Sequence, residues 1–229
     1  LDVARWLDSE SGQAAFIDRL TAAVRPGSVI LLPPVLGTKP DYHLFHKLEQ
    51  ATGCKLVETV GLPPAVTGYR LRRLLVNCLG KLNVKLIEQA NVVRGIIENG
   101  RCTGIVTGNL DRERTYCAES FILASGGFFG GALQAEAGRA SEVVFDLPVA
   151  VPTDPAAWSK EKLFFAGSQP FAKFGLQVDG KLRPVDARGK LLLENVYIAG
   201  KSLAGYDYCV EKSGNGVALA TAYQAGAEA

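Results

Sequence analysis

Two short apolar stretches that run straight into glycine constrain this chain more than anything else in it. They are Ser120-Phe-Ile-Leu-Ala-Ser125 followed by Gly126-Gly127, and Asn195-Val-Tyr-Ile-Ala199 followed by Gly200. Runs of this length without polar alternation read as strands buried on both faces, the usual state of strands in a parallel sheet covered by helices. A glycine at the C-terminal end of such a strand lets the backbone approach a flat ring or a phosphate. For Ser125, Gly126 and Gly127 the competing reading is a tight turn after a core strand. After the second strand, Ser213-Gly214-Asn215-Gly216 opens a helix expected to reach about Ala227, with Val217, Ala218, Ala220 and Ala222 on its small apolar face. Free N–H groups in its first turn and the positive end of its dipole favour an anionic or electron-rich ligand atom. A plain helix cap by Ser213 or Asn215 is the alternative.

The remaining elements place these motifs in an α/β chain. Positions Val3, Trp6, Leu7, Phe16, Ile17 and Leu20 suit two short helices separated by Asp8-Ser9-Glu10-Ser11-Gly12. A strand at Ser28–Leu32 ends in Pro33-Pro34, a helix over Asp41–Thr52 is closed by Gly53, and Lys55–Val60 is a second strand. Leu62-Pro63-Pro64 breaks the chain before a helix over Ala65–Leu82. Strand signals follow at Lys85–Gln89, Val92–Ile97, Cys102–Thr107 and Arg114–Ala118. Turns at Glu98-Asn99-Gly100-Arg101 and Gly108-Asn109-Leu110-Asp111 make an antiparallel meander of them. From Gly131 to Gly167 the pattern is irregular, and a further β region is expected at Phe174–Asp179.

Composition excludes several classes of function. The chain of 229 residues is 48% apolar and 21% charged, which is ordinary for a well-cored protein, and its formal charge of +2 is interspersed rather than clustered. No electrostatic footprint for nucleic acid or an anionic bilayer results. Cys54, Cys78, Cys102, Cys117 and Cys209 stand singly without a C-x-x-C pair, so reduced thiols in a cytoplasmic protein are expected and no metal centre is. No apolar run is long enough for a membrane span. The chain starts at Leu1 and contains no Met, which together suggest a piece of a longer protein.

The meander leading to a glycine-ended strand, followed by a late glycine-ended strand and a glycine-rich helix, resembles the FAD/NAD(P)-binding flavoprotein superfamily. The resemblance implies an incomplete Rossmann-like flavin-binding domain (β-meander, late strand and C-terminal helix) over residues 65–131 and 186–229. Residues 1–64 and 132–185 would then form a discontinuous α+β cap, substrate or partner-binding region. Two departures stand out. Members commonly carry an acidic residue after the glycine of the late strand, whereas this sequence has Gly200-Lys201, leaving Asp207 in Gly205-Tyr206-Asp207 as the candidate substitute. No G-x-G-x-x-G occurs on an N-terminal strand, so the fragment is expected to bind flavin poorly and to be inactive by itself.

Within that superfamily, five segments resemble the B subunit of the anaerobic, quinone-linked glycerol-3-phosphate dehydrogenases. They are Val3–Asp8, Leu62-Pro-Pro-Ala-Val-Thr-Gly-Tyr-Arg-Leu71, Leu123–Gly131, Leu182-Arg-Pro184 and Ile198-Ala-Gly-Lys-Ser-Leu-Ala-Gly-Tyr-Asp207. The resemblance implies a flavin, FMN or FAD, and partnership with two other proteins: a catalytic flavoprotein, the A subunit, and an iron-sulfur protein, the C subunit. The complex oxidises glycerol 3-phosphate to dihydroxyacetone phosphate and passes electrons to the quinone pool, reaching the membrane only through a partner. The expected cofactor-binding residues are Ser125, Gly126, Gly127, Gly200, Lys201, Gly205, Asp207, Gly214, Asn215 and Gly216.

Other residues carry weaker expectations. Arg70, inside the shared motif, is the candidate for a substrate phosphate, because guanidinium forks suit phosphate. Arg72 and Arg73 read as a solvated helix face. His43 and His46 suit a ligand or acid/base pair, or surface positions. Lys201 and Lys212 flank the presumed flavin loop, where a cation near N1 would stabilise reduced flavin. No general base is evident. A flavoprotein acting on another substrate and a cofactor-free docking scaffold are the competing readings.

Overall fold

The computed structural model describes residues 1–62, 65–109, 112–136, 138–162 and 167–229. The Pro63-Pro64 break and the Leu110-Asp111 tip of the expected second hairpin therefore lie outside the described residues. Contacts divide the chain into two compact units, Leu1–Glu88 and Gln89–Ala229.

In the first unit, helix α1 (Asp2–Trp6) turns sharply into α2 (Glu10–Ala23). Ser9 caps α2 by accepting from Gly12 N at 3.1 Å. A Cβ on Gly12 would run into the carbonyl of Trp6, so this corner requires glycine. Strand β1 (Val29–Leu32), helix α3 (His43–Thr52) and strand β2 (Lys55–Glu58) form a β-α-β crossover, with β1 and β2 parallel and Leu32 opposite Glu58. Gly53 ends α3 in the left-handed region, as its sequence position predicts. Leu7, Ile30, Leu44, Leu48 and Leu56 close the core. Helix α4 (Val66–Lys81) packs within this unit.

The expected strand at Lys85–Gln89 does not form. Leu86 and Ile87 remain 49% and 42% exposed, and no described strand pairs with them.

The second unit opens with the antiparallel meander β3 (Val92–Glu98), β4 (Arg101–Asn109) and β5 (Arg112–Cys117). Asn99 and Gly100 join β3 to β4 with φ of 49° and 76°, the two left-handed residues of a tight hairpin. Strand β6 (Phe121–Leu123) follows, then the hairpin β7 (Leu133–Glu136) and β8 (Arg139–Glu142) inside the segment that reads as irregular. The Phe174–Asp179 region makes isolated bridges rather than a strand. Strand β9 (Val196–Ile198), a short helix α5 (Tyr208–Glu211) and helix α6 (Gly214–Glu228) complete the chain.

Strands β6 and β9 lie side by side and parallel, Phe121 opposite Val196 and Leu123 opposite Ile198. Val196 and Ile198 are fully buried, and around them Leu123, Leu133, Leu176, Leu193 and Leu203 form the core. Asn195 fixes the entrance to β9. Its side chain accepts from Cys102 N at 2.8 Å and donates to the carbonyls of Cys102 at 2.8 Å and Glu119 at 2.7 Å. The mixed helix and strand content agrees with the expected α/β class.

Candidate functional site

Because β6 and β9 are parallel neighbours, their glycine-containing exits leave the same edge of the sheet. After β6, Gly126 adopts φ 96°, and after β9, Gly200 adopts φ 70°. A Cβ at either position would meet nothing within 4 Å, so it is the left-handed backbone, not crowding, that selects glycine there. The two exits are tied together, since Ser202 Oγ donates to Gly126 O at 2.8 Å and Ala199 N to Leu123 O at 2.9 Å. Helix α6 holds the second exit from behind: Gly200 N donates to Thr221 Oγ1 at 2.9 Å.

A cavity of about 1000 Å³ opens at this edge. Gly126 and Gly127 form one side, Lys201 and Asp207 to Val210 another, and Phe128, Phe129, Trp158, Phe171 and Phe174 supply aromatic walls. Trp158 stands edge-on to Phe174 with centroids 5.8 Å apart and is anchored by donating Nε1–H to Pro152 O at 2.7 Å. Such a space, apolar with a few polar groups, suits a planar ring.

Lys201 enters this cavity from the turn after β9. Its Nζ donates to Ala172 O at 2.8 Å and lies 4.9 Å and 5.2 Å from the ring centroids of Tyr206 and Tyr208. Burial pulls the ammonium's pKa down, with Asp207 and Cys209 acting in the opposite sense. Asp207 is committed to the backbone. Oδ1 accepts from Cys209 N at 2.9 Å and Val210 N at 3.2 Å, capping α5, and Oδ2 accepts from Ser168 Oγ at 2.5 Å. The Ser168 bond, against the opposing effect of burial, and the two amides hold this carboxyl below the usual aspartate range.

The expected site residues therefore divide. Gly126, Gly127, Lys201 and Asp207 line the cavity. Ser125, Gly200 and Gly205 do not line it; Gly205, at φ 97°, donates its N–H to Lys173 O at 2.9 Å. Gly214, Asn215 and Gly216 begin α6, and a Cβ on Gly214 would lie 3.2 Å from Tyr208 Cβ. Ser213 makes no side-chain cap and its hydroxyl instead faces Glu211 Oε2 at 3.3 Å, so the first turn of α6 has no side-chain acceptor. Asn215 is exposed.

The aromatic walls are what sequence reading missed. Phe128 and Phe129 follow the glycine pair directly, but nothing local brings Trp158, Phe171 and Phe174 to them. Asp207 N in turn donates to Glu211 Oε1 at 3.1 Å, but Glu211 lies one residue beyond the capping-box position, so the spacing does not announce the cap.

Arg70 lies in the first unit, on a separate cavity of about 520 Å³. Its guanidinium is bidentate to Glu58, NH1 to Oε2 at 2.5 Å and NH2 to Oε1 at 3.0 Å, and Nε donates to Gly37 O at 2.8 Å. Arg73 donates to Thr38 Oγ1 at 2.8 Å, and Thr38 Oγ1 donates to Asp8 at 2.6 Å. Arg73 thus ties down a loop, while Arg72 pairs with Glu88 at the surface. His43 and His46 are exposed on α3. Among the described residues no helix is long and apolar enough to cross a membrane.

Glycine-ended parallel strands, an apolar slot and an uncapped helix start are the marks of a nucleotide-cofactor fold, and the comparison with known families is specific. The chain belongs to the FAD binding domain family, whose profile matches residues 3–217. Flavin is thereby its cofactor, in agreement with the expectation. The chain is similar to the B subunit of the anaerobic glycerol-3-phosphate dehydrogenase of Vibrio cholerae serotype O1, with 34% identity over 225 residues covering 98% of this chain and 51% of the relative. It is also similar to the B subunits of the same enzyme from Vibrio vulnificus (30% over 226 residues, 98% and 51%) and Yersinia pseudotuberculosis serotype I (31% over 222 residues, 97% and 51%). The expected resemblance is thus met. The chain spans about half the length of the curated relatives it matches. No solved structure gives a significant match.

The residues present fit a flavin. The cavity is apolar enough for an isoalloxazine ring, its glycine side leaves open space where side chains would intrude, and Lys201 offers a cation to the ring's electron-rich edge.

Proposed function

We propose that this chain is the flavin-facing part of a subunit of an anaerobic glycerol-3-phosphate dehydrogenase. The observation that carries the reading is the parallel pair β6/β9, whose exits, at Gly126-Gly127 and at Lys201, border one apolar cavity. The assembled enzyme would oxidise glycerol 3-phosphate to dihydroxyacetone phosphate and pass electrons to the quinone pool. A catalytic flavoprotein, the A subunit, and an iron-sulfur protein, the C subunit, would be its partners, and it would meet the membrane only through a partner.

A bound flavin, FMN or FAD, supplies the two-electron chemistry. Ser125, Gly126 and Gly127 would let the ring approach the sheet edge, and Phe128, Trp158 and Phe174 would exclude water from it. Gly200 and Gly205 would shape the second exit, Lys201 would face the ring, and the first turn of α6, at Gly214, Asn215 and Gly216, would receive an electron-rich atom. Asp207 would keep α5, and with it Tyr208, in place beside Lys201. Arg70 has one N–H left on each terminal nitrogen beyond its bonds to Glu58, and these are the proposed contact for a substrate phosphate. The division proposed from sequence, residues 65–131 and 186–229 around the flavin and residues 1–64 and 132–185 as cap, belongs to the same reading.

Absorption spectra of protein made from the full-length gene test it. A flavin spectrum is expected, bleached by glycerol 3-phosphate in the presence of the catalytic partner. Colourless protein would refute the reading, and bleaching only by a different substrate would move it to another dehydrogenase.

A further inference from the structure

The cavity of the first unit holds more unspent donors than the Glu58–Arg70 pair requires. Thr67, Arg70, Leu71 and Leu74 bring one face of α4 to it, and the chain between β1 and α3, together with β2, supplies the other walls. Its volume of about 520 Å³ lies within the roughly 300–1,000 Å³ that hold one small organic molecule. Leu36, Phe45, Leu56, Val57, Leu71 and Leu74 make most of the lining apolar. The polar groups are Lys39, Tyr42, Glu58, Thr67 and Arg70, two cations against one carboxylate. That carboxylate is occupied: Oε1 accepts from Leu36 N at 2.9 Å and Arg70 NH2 at 3.0 Å, and Oε2 from Arg70 NH1 at 2.5 Å. The donors are not. Each terminal nitrogen of Arg70 keeps one N–H, and among the described residues Lys39 makes no ion pair and the hydroxyls of Tyr42 and Thr67 no hydrogen bond. Tyr42 stands 67% exposed with φ 53°, a left-handed backbone that glycine adopts without steric cost, so the fold alone does not demand a tyrosine there.

We propose that this cavity is a second ligand site, for an oxyanion carried on an apolar body: a phosphate or carboxylate head at Arg70 and Lys39, with an aliphatic chain along Leu71 and Leu74. The inference rests on the reading of Arg70 as a phosphate contact and deepens it. Glu58 and the carbonyl of Gly37 hold the guanidinium in one orientation, so the head meets donors that are already placed. A small polar ester such as glycerol 3-phosphate would satisfy those donors and leave the apolar lining against its hydroxyls. A methylene chain instead removes that lining from water, at about three- to fourfold in affinity for each methylene buried.

The test is a calorimetric titration of the full-length protein with octyl phosphate, octanoate, octanol and glycerol 3-phosphate. Octyl phosphate or octanoate should bind at a single site, the tighter of the two naming the head, and affinity should rise about tenfold for each step from butyl to hexyl to octyl phosphate. Octanol, which lacks the head, and glycerol 3-phosphate, which lacks the apolar body, should each bind at least about tenfold more weakly. Leu74→Glu, at a residue 45% exposed, should weaken octyl phosphate about tenfold or more. Lys39→Met should weaken it about fivefold and leave octanol unchanged, and Lys85→Met, an exposed lysine outside the cavity, should match the parent. Affinity independent of chain length, or octyl phosphate binding untouched by Leu74→Glu, overturns the proposal. The chain-length series uses the unsubstituted protein, so a variant that fails to fold leaves the test intact. Glycerol 3-phosphate binding as tightly as octyl phosphate also overturns the apolar body while the phosphate contact at Arg70 stands, whereas binding by no oxyanion removes both.

Discussion

Replacing Glu58 with Gln should destabilise the first unit without touching the flavin cavity. The Glu58 and Arg70 side chains are 12% and 14% exposed, and two charge-assisted bonds join them. Glu58 Oε1 also accepts from Leu36 N at 2.9 Å, so the same carboxylate holds the chain beyond β1. A glutamine keeps a single acceptor oxygen and turns N–H groups toward the guanidinium, so at least one bond is lost and the arginine's charge is left without a counterion. Hydrogen bonds to charged groups and broken buried pairs put the loss at about 2 kcal/mol, discounted for the water that reaches a partly exposed pair. For a unit of this length the loss corresponds to roughly 10 °C in melting temperature. The chain has two tryptophans, Trp6 in the first unit and Trp158 in the second, so a Trp158→Phe background lets Trp6 fluorescence report the first unit alone. Arg70→Met completes a double-mutant cycle, and the two changes should couple by about 1–2 kcal/mol. The pair also sets a pH dependence. Burial raises the Glu58 pKa, but the bonds from Arg70 and Leu36 outweigh it and the net shift is downward. A depressed carboxylate contributes stability that is full above its unfolded value and lost as pH falls through the folded one, so the loss belongs to the range below pH 4.5. Glu58→Gln should flatten that acid limb. Unfolding within about 0.5 kcal/mol of the parent, or strict additivity in the cycle, would refute the reasoning.

Three further outcomes are expected in the second unit, each read by Trp158 fluorescence. Gly175→Ala places a Cβ 2.5 Å from Ala204 N and Leu203 C, backbone atoms that cannot give way, and should cost about 3 kcal/mol or more by equilibrium unfolding in urea. Asn195→Ala removes three hydrogen bonds, leaves the Cys102 N–H buried without its acceptor, and should cost about 2–4 kcal/mol; faster hydrogen exchange at the Cys102 amide would localise the effect. Glu142 is fully buried and accepts from Val144 N at 2.8 Å and Phe145 N at 2.7 Å, yet burial outweighs these bonds and raises its pKa. The parent should therefore lose stability as pH rises from the ordinary glutamate value through the raised one, and Glu142→Gln should be more harmful in acid than at neutral pH.

Sequence reading reaches as far as local chemistry does. Asn99-Gly100 dictates a hairpin and Gly53 a helix end, because left-handed backbone is written into single residues. Glycine after each of the two apolar strands is visible in the same way. The parallel pairing of Phe121–Leu123 with Val196–Ile198 is not, since it closes a loop of more than seventy residues and no local term specifies the partner. The β7/β8 hairpin is hidden for the opposite reason: Leu133-Gln134-Ala135-Glu136 alternates for only four residues, Arg139-Ala140-Ser141-Glu142 offers one small apolar residue, and Glu142 is buried as a turn-holding acceptor rather than as a hydrophobe. Lys85–Gln89 has strand composition without a described partner, and composition alone makes no ladder.

The same limit explains why Lys201 and Asp207 exchange significance between sequence and structure. Read in line, Asp207 is the acidic residue nearest a glycine-ended strand and Lys201 is an anomaly beside it. Folded, the aspartate's oxygens are spent on two amides and a hydroxyl, which fixes α5 and sets Tyr208 against the lysine. The carboxylate that looked free to bind is thereby kept from pairing with the ammonium. The two groups nevertheless act on each other electrostatically, each favouring the other's charged form, without an ion pair between them among the described residues. Ser168 and the start of α5 thus set where the Asp207 charge sits beside Lys201, and Ser168→Ala should raise the Asp207 pKa toward the ordinary aspartate value, which an NMR pH titration of the carboxyl would read.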